Sequence, residues 1–243
     1  MTRRNDDAYG HLIHDHYNGI EVLEIIERDD GFIDVSGGPV NYFSEYDKWP
    51  DSQKEAMYYV QGKVLDIGCG AGRHSLYLQS RDFDVLAIDN SPLAIEVSKL
   101  RGVKKAQLIS LHEIDADFGL FDTLIMLGNN FALLGNPKNA NRLLKIFHKI
   151  TTENGLIIAE CVDPYTSKIK EHTDYHEMNR KRGRLGGQLS IRVRHRKFIS
   201  NWFDFLLVSK EEMEEIMKDT GWKIEQYIDG QYPGSYIAIM KKK

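Results

Sequence analysis

The chain has 243 residues, 42% hydrophobic and 28% charged, with a formal net charge of −4. That is enough apolar material for one filled core, or one core with an appended cap, and the acidic balance supplies no global attraction to nucleic acid or to an anionic membrane. No run approaches the ~20 apolar residues of a membrane span, MTRRNDDAYGHLIHDHYNG at the N-terminus lacks the apolar stretch of a leader, and Cys69 and Cys161 cannot form a disulfide framework. A soluble, cytoplasmic protein with reduced thiols is expected, with a small molecule as its default partner.

In chain order, His11, His14, Asp15 and His16 come first, in a polar stretch that reads as solvated, without a helix and without a metal. Short apolar runs at Glu21 to Ile26 and Phe32 to Val35 flank Asp29-Asp30-Gly31, a turn signal for a β-hairpin. With the aromatics Tyr42, Phe43, Tyr46 and Trp49 that follow, residues 1–49 are expected to form an N-terminal lid, ahead of a main domain over 50–243. Asp51 to Val60 reads as a helix leading into the first core strand.

The stretch from Val64 to Asp89, VLDIGCGAGRHSLYLQSRDFDVLAID, is strand, glycine turn, helix and second strand. Val64, Leu65 and Ile67 suit a buried parallel strand, Gly68, Gly70 and Gly72 allow a tight turn against a ligand, and His74 to Gln79 should be helical. Val85 to Ile88 form the second strand, closed by Asp89, an acid placed to grip two ribose hydroxyls. Ser91-Pro92 caps a helix that ends at Gly102, and Ala106 to Leu111 make the third strand. The fourth, Phe121 to Leu127, ends in Gly128-Asn129-Asn130. Asn136-Pro137 opens a helix with Leu143, Leu144, Ile146, Phe147 and Ile150 on one side, and Leu156 to Cys161 form the fifth strand.

Asp163, Pro164 and Tyr165 close that fifth strand. Residues 164–208 are too many for an ordinary connection and read as a substrate-side β insertion, with Leu189, Ile191 and Val193 alternating with arginines. The basic residues Arg192, Arg194 and Arg196 read first as one solvated strand face, second as a site for an anionic acceptor and third as an RNA contact, which disfavours nucleic acid as a partner. His195 continues the apolar face as a core histidine. Ser209 with Glu212 is a capping box for a helix over Lys210 to Asp219, and Trp222 to Ile228 and Ser235 to Met240 are the closing strands.

Two cofactor classes use a strand, glycine turn and acid-tipped strand. The dinucleotide fingerprint needs a third glycine three residues after Gly70, where this chain has Arg73, so a nicotinamide-dependent oxidoreductase is disfavoured. Asp66, just ahead of the glycines, is a poor neighbour for a pyrophosphate and a good one for a cationic amino acid. S-adenosylmethionine has no phosphate and carries both an ammonium and a sulfonium.

Read as D-x-G-x-G-x-G over Asp66, Gly68, Gly70 and Gly72, with Asp89 ending the next strand, the sequence resembles the class I S-adenosylmethionine-dependent methyltransferases. The resemblance runs from about Gly62 to Asp163 and again from Ser209 to Met240. ERDDGFID and MLGNNFALLG further resemble a group of microbial methyltransferase-domain proteins without an assigned substrate. The family implies an α/β, Rossmann-like, seven-stranded and mostly parallel sheet with helices on both faces, its last strand antiparallel. It also implies S-adenosylmethionine as methyl donor, S-adenosylhomocysteine as product, and donor contacts from Asp66, Gly68, Cys69, Gly70, Asp89, Asn90, Leu111, Leu127, Gly128 and Asn129. Asn130, Tyr42, Tyr46 and Tyr165 become candidates for a small-molecule acceptor.

Gly128-Asn129-Asn130 departs from the Asn-Pro-Pro-aromatic motif of members that methylate nucleobase amines. No catalytic residue stands out and no metal is required, because a sulfonium methyl is intrinsically reactive and the protein mainly aligns it. The alternative is a module that binds S-adenosylmethionine without turnover. Acceptor atom and oligomeric state are left open by the residues.

Overall fold

The computed structural model describes residues 6–243. Helix α1 (Ala8–Tyr17) begins at Asp7, whose side chain accepts from the Gly10 amide at 2.9 Å. Its buried residues include Ala8, Leu12 and Ile13. The sequence reading expected no helix here. Three histidines mask the short apolar stripe, and Asp7 at the capping position is the signal that reveals it.

The hairpin ahead of the main sheet is present, with β1 (Glu24–Arg28) antiparallel to β2 (Ile33–Ser36). Helix α2 (Pro39–Phe43) follows, then α3 (Asp51–Ala56), which tightens into a 3₁₀ turn at Met57–Tyr59. Strand β3 (Lys63–Ile67), α4 (Arg73–Ser80), β4 (Asp84–Asp89) and α5 (Pro92–Leu100) come in the predicted order. Strand β5 (Ala106–Leu108) is shorter than predicted. Ser110 and Glu113 close a capping box there and divert Leu111 into a single 3₁₀ turn, Leu111–Glu113.

Then come β6 (Phe121–Met126), α6 (Pro137–Lys149) and β7 (Thr151–Val162). Helix α7 (Lys170–Lys181) precedes β8 (Gln188–His195), β9 (Phe198–Ile199) and β10 (Phe203–Leu206). The chain ends with α8 (Lys210–Ile216), β11 (Trp222–Asp229) and β12 (Ser235–Lys242). The main sheet has seven strands in the order β11-β12-β7-β6-β3-β4-β5. It is the mostly parallel α/β sheet expected from the sequence, and β12 is antiparallel to both β7 and β11. Among the described residues no helix is long and apolar enough to cross a membrane.

The chain forms two compact units. The first comprises the described part of Met1–Trp49, with Gly62–Ile114 and Ile191–Phe203; the second comprises Pro50–Gln61, Asp115–Ser190 and Asp204–Lys243. In the first unit β3, β4 and β5 run parallel, with Ile67 beside Ile88 and Asp89 beside Leu108. Leu12 and Ile13 of α1 pack with Ala71, Ala94 and Val97.

A second, smaller sheet in this unit pairs β1 with β8, Ile26 opposite Val193, and β8 with β9. The arginines alternate with the buried Ile191, Val193 and His195 on the more exposed face of β8, as the alternation predicts, and they are paired there. Arg192 and Arg194 both converge on Glu27 at 2.8 Å, Arg192 also lies over the Trp202 ring, and Arg196 reaches Asp15 at 3.2 Å. His195 is buried, as expected of a core histidine, and its Nε2 lies 2.8 Å from Asp15.

In the second unit β6 and β7 are parallel, and α6 buries Leu143, Leu144 and Phe147. The predicted capping box of α8 is formed: Ser209 Oγ accepts from the Glu212 amide at 3.2 Å and Glu212 Oε2 accepts from the Ser209 amide at 3.1 Å. Ser209→Ala is therefore expected to cost about 1 kcal/mol in urea denaturation. Within the stretch read as a β insertion, α7 was not anticipated. It buries Tyr175, His176 and Asn179, and Asn179 Nδ2 donates to the carbonyls of Gly186 and Gln188 at 3.0 and 2.8 Å.

Candidate functional site

The glycine turn after β3 is held by the end of β4. The amides of Gly68 and Cys69 both donate to the Ile88 carbonyl, at 2.9 and 3.0 Å. The Gly70 amide donates to Asp89 Oδ2 at 2.9 Å. Gly68, Gly70 and Gly72 have φ of 75°, 53° and 80°, the left-handed region that side chains resist. At Gly72 a Cβ would fall 2.6 Å from Val103 Cγ2, so this glycine lets the α4 entrance pack closely. At Gly70 a Cβ would fall 2.8 Å from the Tyr9 hydroxyl. Gly70→Ala is expected to lower stability by about 1–2 kcal/mol from backbone strain alone, read by chemical denaturation.

Two acids lie beneath this turn. Asp66 is 1% exposed and Asp89 is 8% exposed. Asp66 Oδ2 accepts from Ser75 Oγ at 2.6 Å. Asp89 spends its two oxygens on backbone, Oδ2 on Gly70 and Oδ1 on the Ser91 amide at 2.9 Å. Burial pushes the Asp66 carboxyl up to about 6, against the Ser75 hydrogen bond and with help from the Asp89 charge. Burial likewise raises Asp89 to about 6, opposed by the Ser91 and Gly70 amides and reinforced by the charge of Asp7. Cys69 is buried in the same turn and its thiol is pushed far up by burial and by both acids, which makes it inert as a nucleophile.

Asp7 ties the N-terminal helix to this arrangement. Its Oδ2 accepts from Ser91 Oγ at 2.9 Å and from the Leu93 amide at 3.2 Å, at the start of α5. Tyr9, two residues on, is thereby placed against Gly70, with its ring edge-on to Tyr42 at 5.5 Å. Neither Asp7 nor Tyr9 was singled out from the sequence, although the capping pattern at Asp7 was readable.

Of the sequence candidates in the first unit, Asp66, Gly68, Cys69, Gly70 and Asp89 are brought together. Asn90 is exposed just past β4, and Leu111 lies half-buried in its 3₁₀ turn. Tyr42 joins the cluster through Tyr9. Tyr46 does not: its ring stacks on Tyr77 of α4 at 4.4 Å, beside Trp49. Trp49 in turn meets His74 edge-on at 4.7 Å. His74 is kept neutral by burial, and its Nε2 has no partner among the described residues.

In the second unit, Leu127 is buried at the end of β6 and Gly128 follows with φ 77°. Asn129 holds φ 63°, a left-handed conformation that asparagine tolerates better than most residues, and its Oδ1 is buried without a partner among the described residues. The Gly128 amide donates to Glu160 Oε2 at 2.6 Å, and Gln53 Nε2 donates to the same oxygen at 2.7 Å. Sequence reasoning missed Glu160; its only signal was a carboxylate near the end of the fifth strand. Asn130 enters the 3₁₀ turn Asn130–Leu134. Tyr165 bonds Glu212 of α8 and lies under Arg180, whose guanidinium is 5.0 Å from the ring centre.

Comparison with known proteins places this geometry. The family described as Methyltransferase domain matches residues 64–155. A glycine/sarcosine N-methyltransferase of Halorhodospira halochloris is 26% identical over 145 residues, which is 49% of this chain and 54% of that protein. A glycine/sarcosine/dimethylglycine N-methyltransferase of Actinopolyspora halophila is 23% identical over 92% of this chain and 45% of its own length. The chain thus spans about half the length of these curated relatives. A crystal structure of a SAM-dependent methyltransferase from Bacteroides fragilis in complex with S-adenosyl-L-homocysteine superposes with a TM-score of 0.82 at 26% identity, covering 99% of this chain and 96% of that one. With the glycine turn, the paired acids and this likeness along nearly the whole chain, the protein carries a methyltransferase domain over residues 64–155 and has the fold of a SAM-dependent methyltransferase.

Proposed function

We propose that the protein is a cytoplasmic enzyme that transfers a methyl group from S-adenosylmethionine to a small-molecule acceptor. The observation that carries this reading is the pair of buried carboxyls, Asp66 and Asp89, under a turn kept free of side chains at Gly68 and Gly70. Burying two acids on adjacent strands beneath one turn is costly, and hydroxyl and cationic partners relieve that cost where water cannot. Asp89 would take the ribose hydroxyls and Asp66 would face the amino-acid end of the donor. Gly68, Cys69, Gly70, Asn90, Leu111, Leu127, Gly128 and Asn129 are the further residues proposed to contact the donor.

When bound, the donor supplies an electrophilic methyl on a sulfonium. The chain's own contribution is to hold the donor, exclude water and orient the acceptor, for which Tyr42, Tyr46, Asn130 and Tyr165 are the proposed residues, with residues 1–49 as a lid. The curated relatives named above support a small acceptor. The reading is tested by incubating the protein with methyl-labelled S-adenosylmethionine and pools of small metabolites. Acceptor-dependent formation of S-adenosylhomocysteine is expected; tight donor binding without transfer to any pool would instead describe a non-catalytic binding module.

A further inference from the structure

Glu24 opens β1 and is 4% exposed, yet no cation is paired with it among the described residues. The Tyr42 hydroxyl donates to both of its oxygens at 3.0 Å, and the hydroxyl of Ser36, directly across the hairpin, donates to Oε2. A carboxylate has about four lone-pair sites, so these donors leave it room for another. Burial raises its carboxyl above the usual range, against both hydroxyls. Simple packing would favour an apolar side chain here, because a buried charge without an opposite charge is expensive.

The surroundings of this carboxylate are specific. The Tyr42 ring that holds it is edge-on to Tyr9, and the Tyr9 hydroxyl borders Gly70 of the glycine turn. A desolvated carboxylate held only by neutral hydroxyl donors is the chemistry that receives an ammonium group, which neutralises its charge and adds a charge-assisted hydrogen bond. A neutral hydroxylic acceptor would donate at most a hydrogen bond and leave the charge of Glu24 uncompensated, and an anionic acceptor would be repelled.

We propose that Glu24, braced by Tyr42 and Ser36 beside Tyr9, is the counter-ion for a cationic amino group on the methyl acceptor, so that the acceptor is an amine. This rests on the methyltransferase reading above and adds the substrate class to it.

The test is calorimetric, on the full chain saturated with S-adenosylhomocysteine, using benzylamine and ethanolamine against their hydroxyl counterparts, benzyl alcohol and ethylene glycol. The amines bind and the alcohols bind at least about tenfold more weakly. Glu24→Gln, which keeps an acceptor for Tyr42 and Ser36, lowers amine affinity by at least about tenfold, with S-adenosylhomocysteine affinity and melting temperature near those of the wild type. Tyr42→Phe, which keeps the ring, gives a smaller loss in the same direction, so the proposal does not depend on one variant folding. Equal binding of amines and alcohols, binding of neither amine, or an undiminished amine affinity in Glu24→Gln would overturn it. Failure of the wild type to bind S-adenosylhomocysteine would strike the methyltransferase reading itself.

Discussion

Asp89→Ala is expected to weaken S-adenosylhomocysteine binding by one to two orders of magnitude. A charge-assisted hydrogen bond is worth roughly 1.5–3 kcal/mol, and each 1.4 kcal/mol is about tenfold in affinity. The loss has two physical sources. One is the bond proposed from Asp89 to a ribose hydroxyl. The other is internal, since Asp89 is also the acceptor for the Gly70 and Ser91 amides and so holds the glycine turn and the α5 entrance in register. Asp89→Asn separates them: its side-chain carbonyl retains one backbone bond while the charge is gone, and an intermediate affinity follows. Isothermal titration of the three proteins reads the series, and an unchanged dissociation constant in Asp89→Ala contradicts the assignment.

The second large effect is on stability. Asp66 is raised from 3.8 to about 6 in the folded protein by burial and by its neighbour Asp89. An acid raised on folding holds its proton longer in the native state, so its stabilising contribution is complete below pH ~4 and is lost as pH rises through ~6. That displacement corresponds to about 3 kcal/mol. Asp66→Asn removes this titration and can still accept from Ser75. Its stability relative to the wild type is therefore expected to improve by about 3 kcal/mol between pH 4 and pH 7.5, measured without ligand by urea denaturation at both pH values. A difference that does not change with pH would show that Asp66 is not held at this cost.

Much of the first unit could be read from the chain because its chemistry is local. Glycines at 68, 70 and 72, an acid before them and an acid at the end of the next apolar run impose one backbone path, and Ser91-Pro92 and Ser209 with Glu212 mark helix starts by hydrogen bonds formed within three residues. What was missed depends on partners far apart in sequence. Helix α7 is strongly polar and acquires its buried face from Gly186, Gln188 and Ser190: the first two carbonyls accept from Asn179 Nδ2, and the Ser190 amide donates to the Tyr175 hydroxyl. The alternation of Arg192 and Arg194 was legible but their partner was not: pairing β8 with β1 brings Glu27 from 165 and 167 residues away. Glu24 was invisible for the same reason: its significance comes from Ser36 and Tyr42 enclosing it, and no local pattern announces a buried unpaired carboxylate.

The most direct measurement of the central claim is calorimetric titration of the purified protein with S-adenosylmethionine and S-adenosylhomocysteine, with both nicotinamide dinucleotides as controls. Micromolar binding of the two sulfur ligands and none of the dinucleotides is the predicted result. No binding of either sulfur ligand, or preference for a dinucleotide, would contradict the assignment of Asp66, the glycine turn and Asp89 as a methyl-donor site.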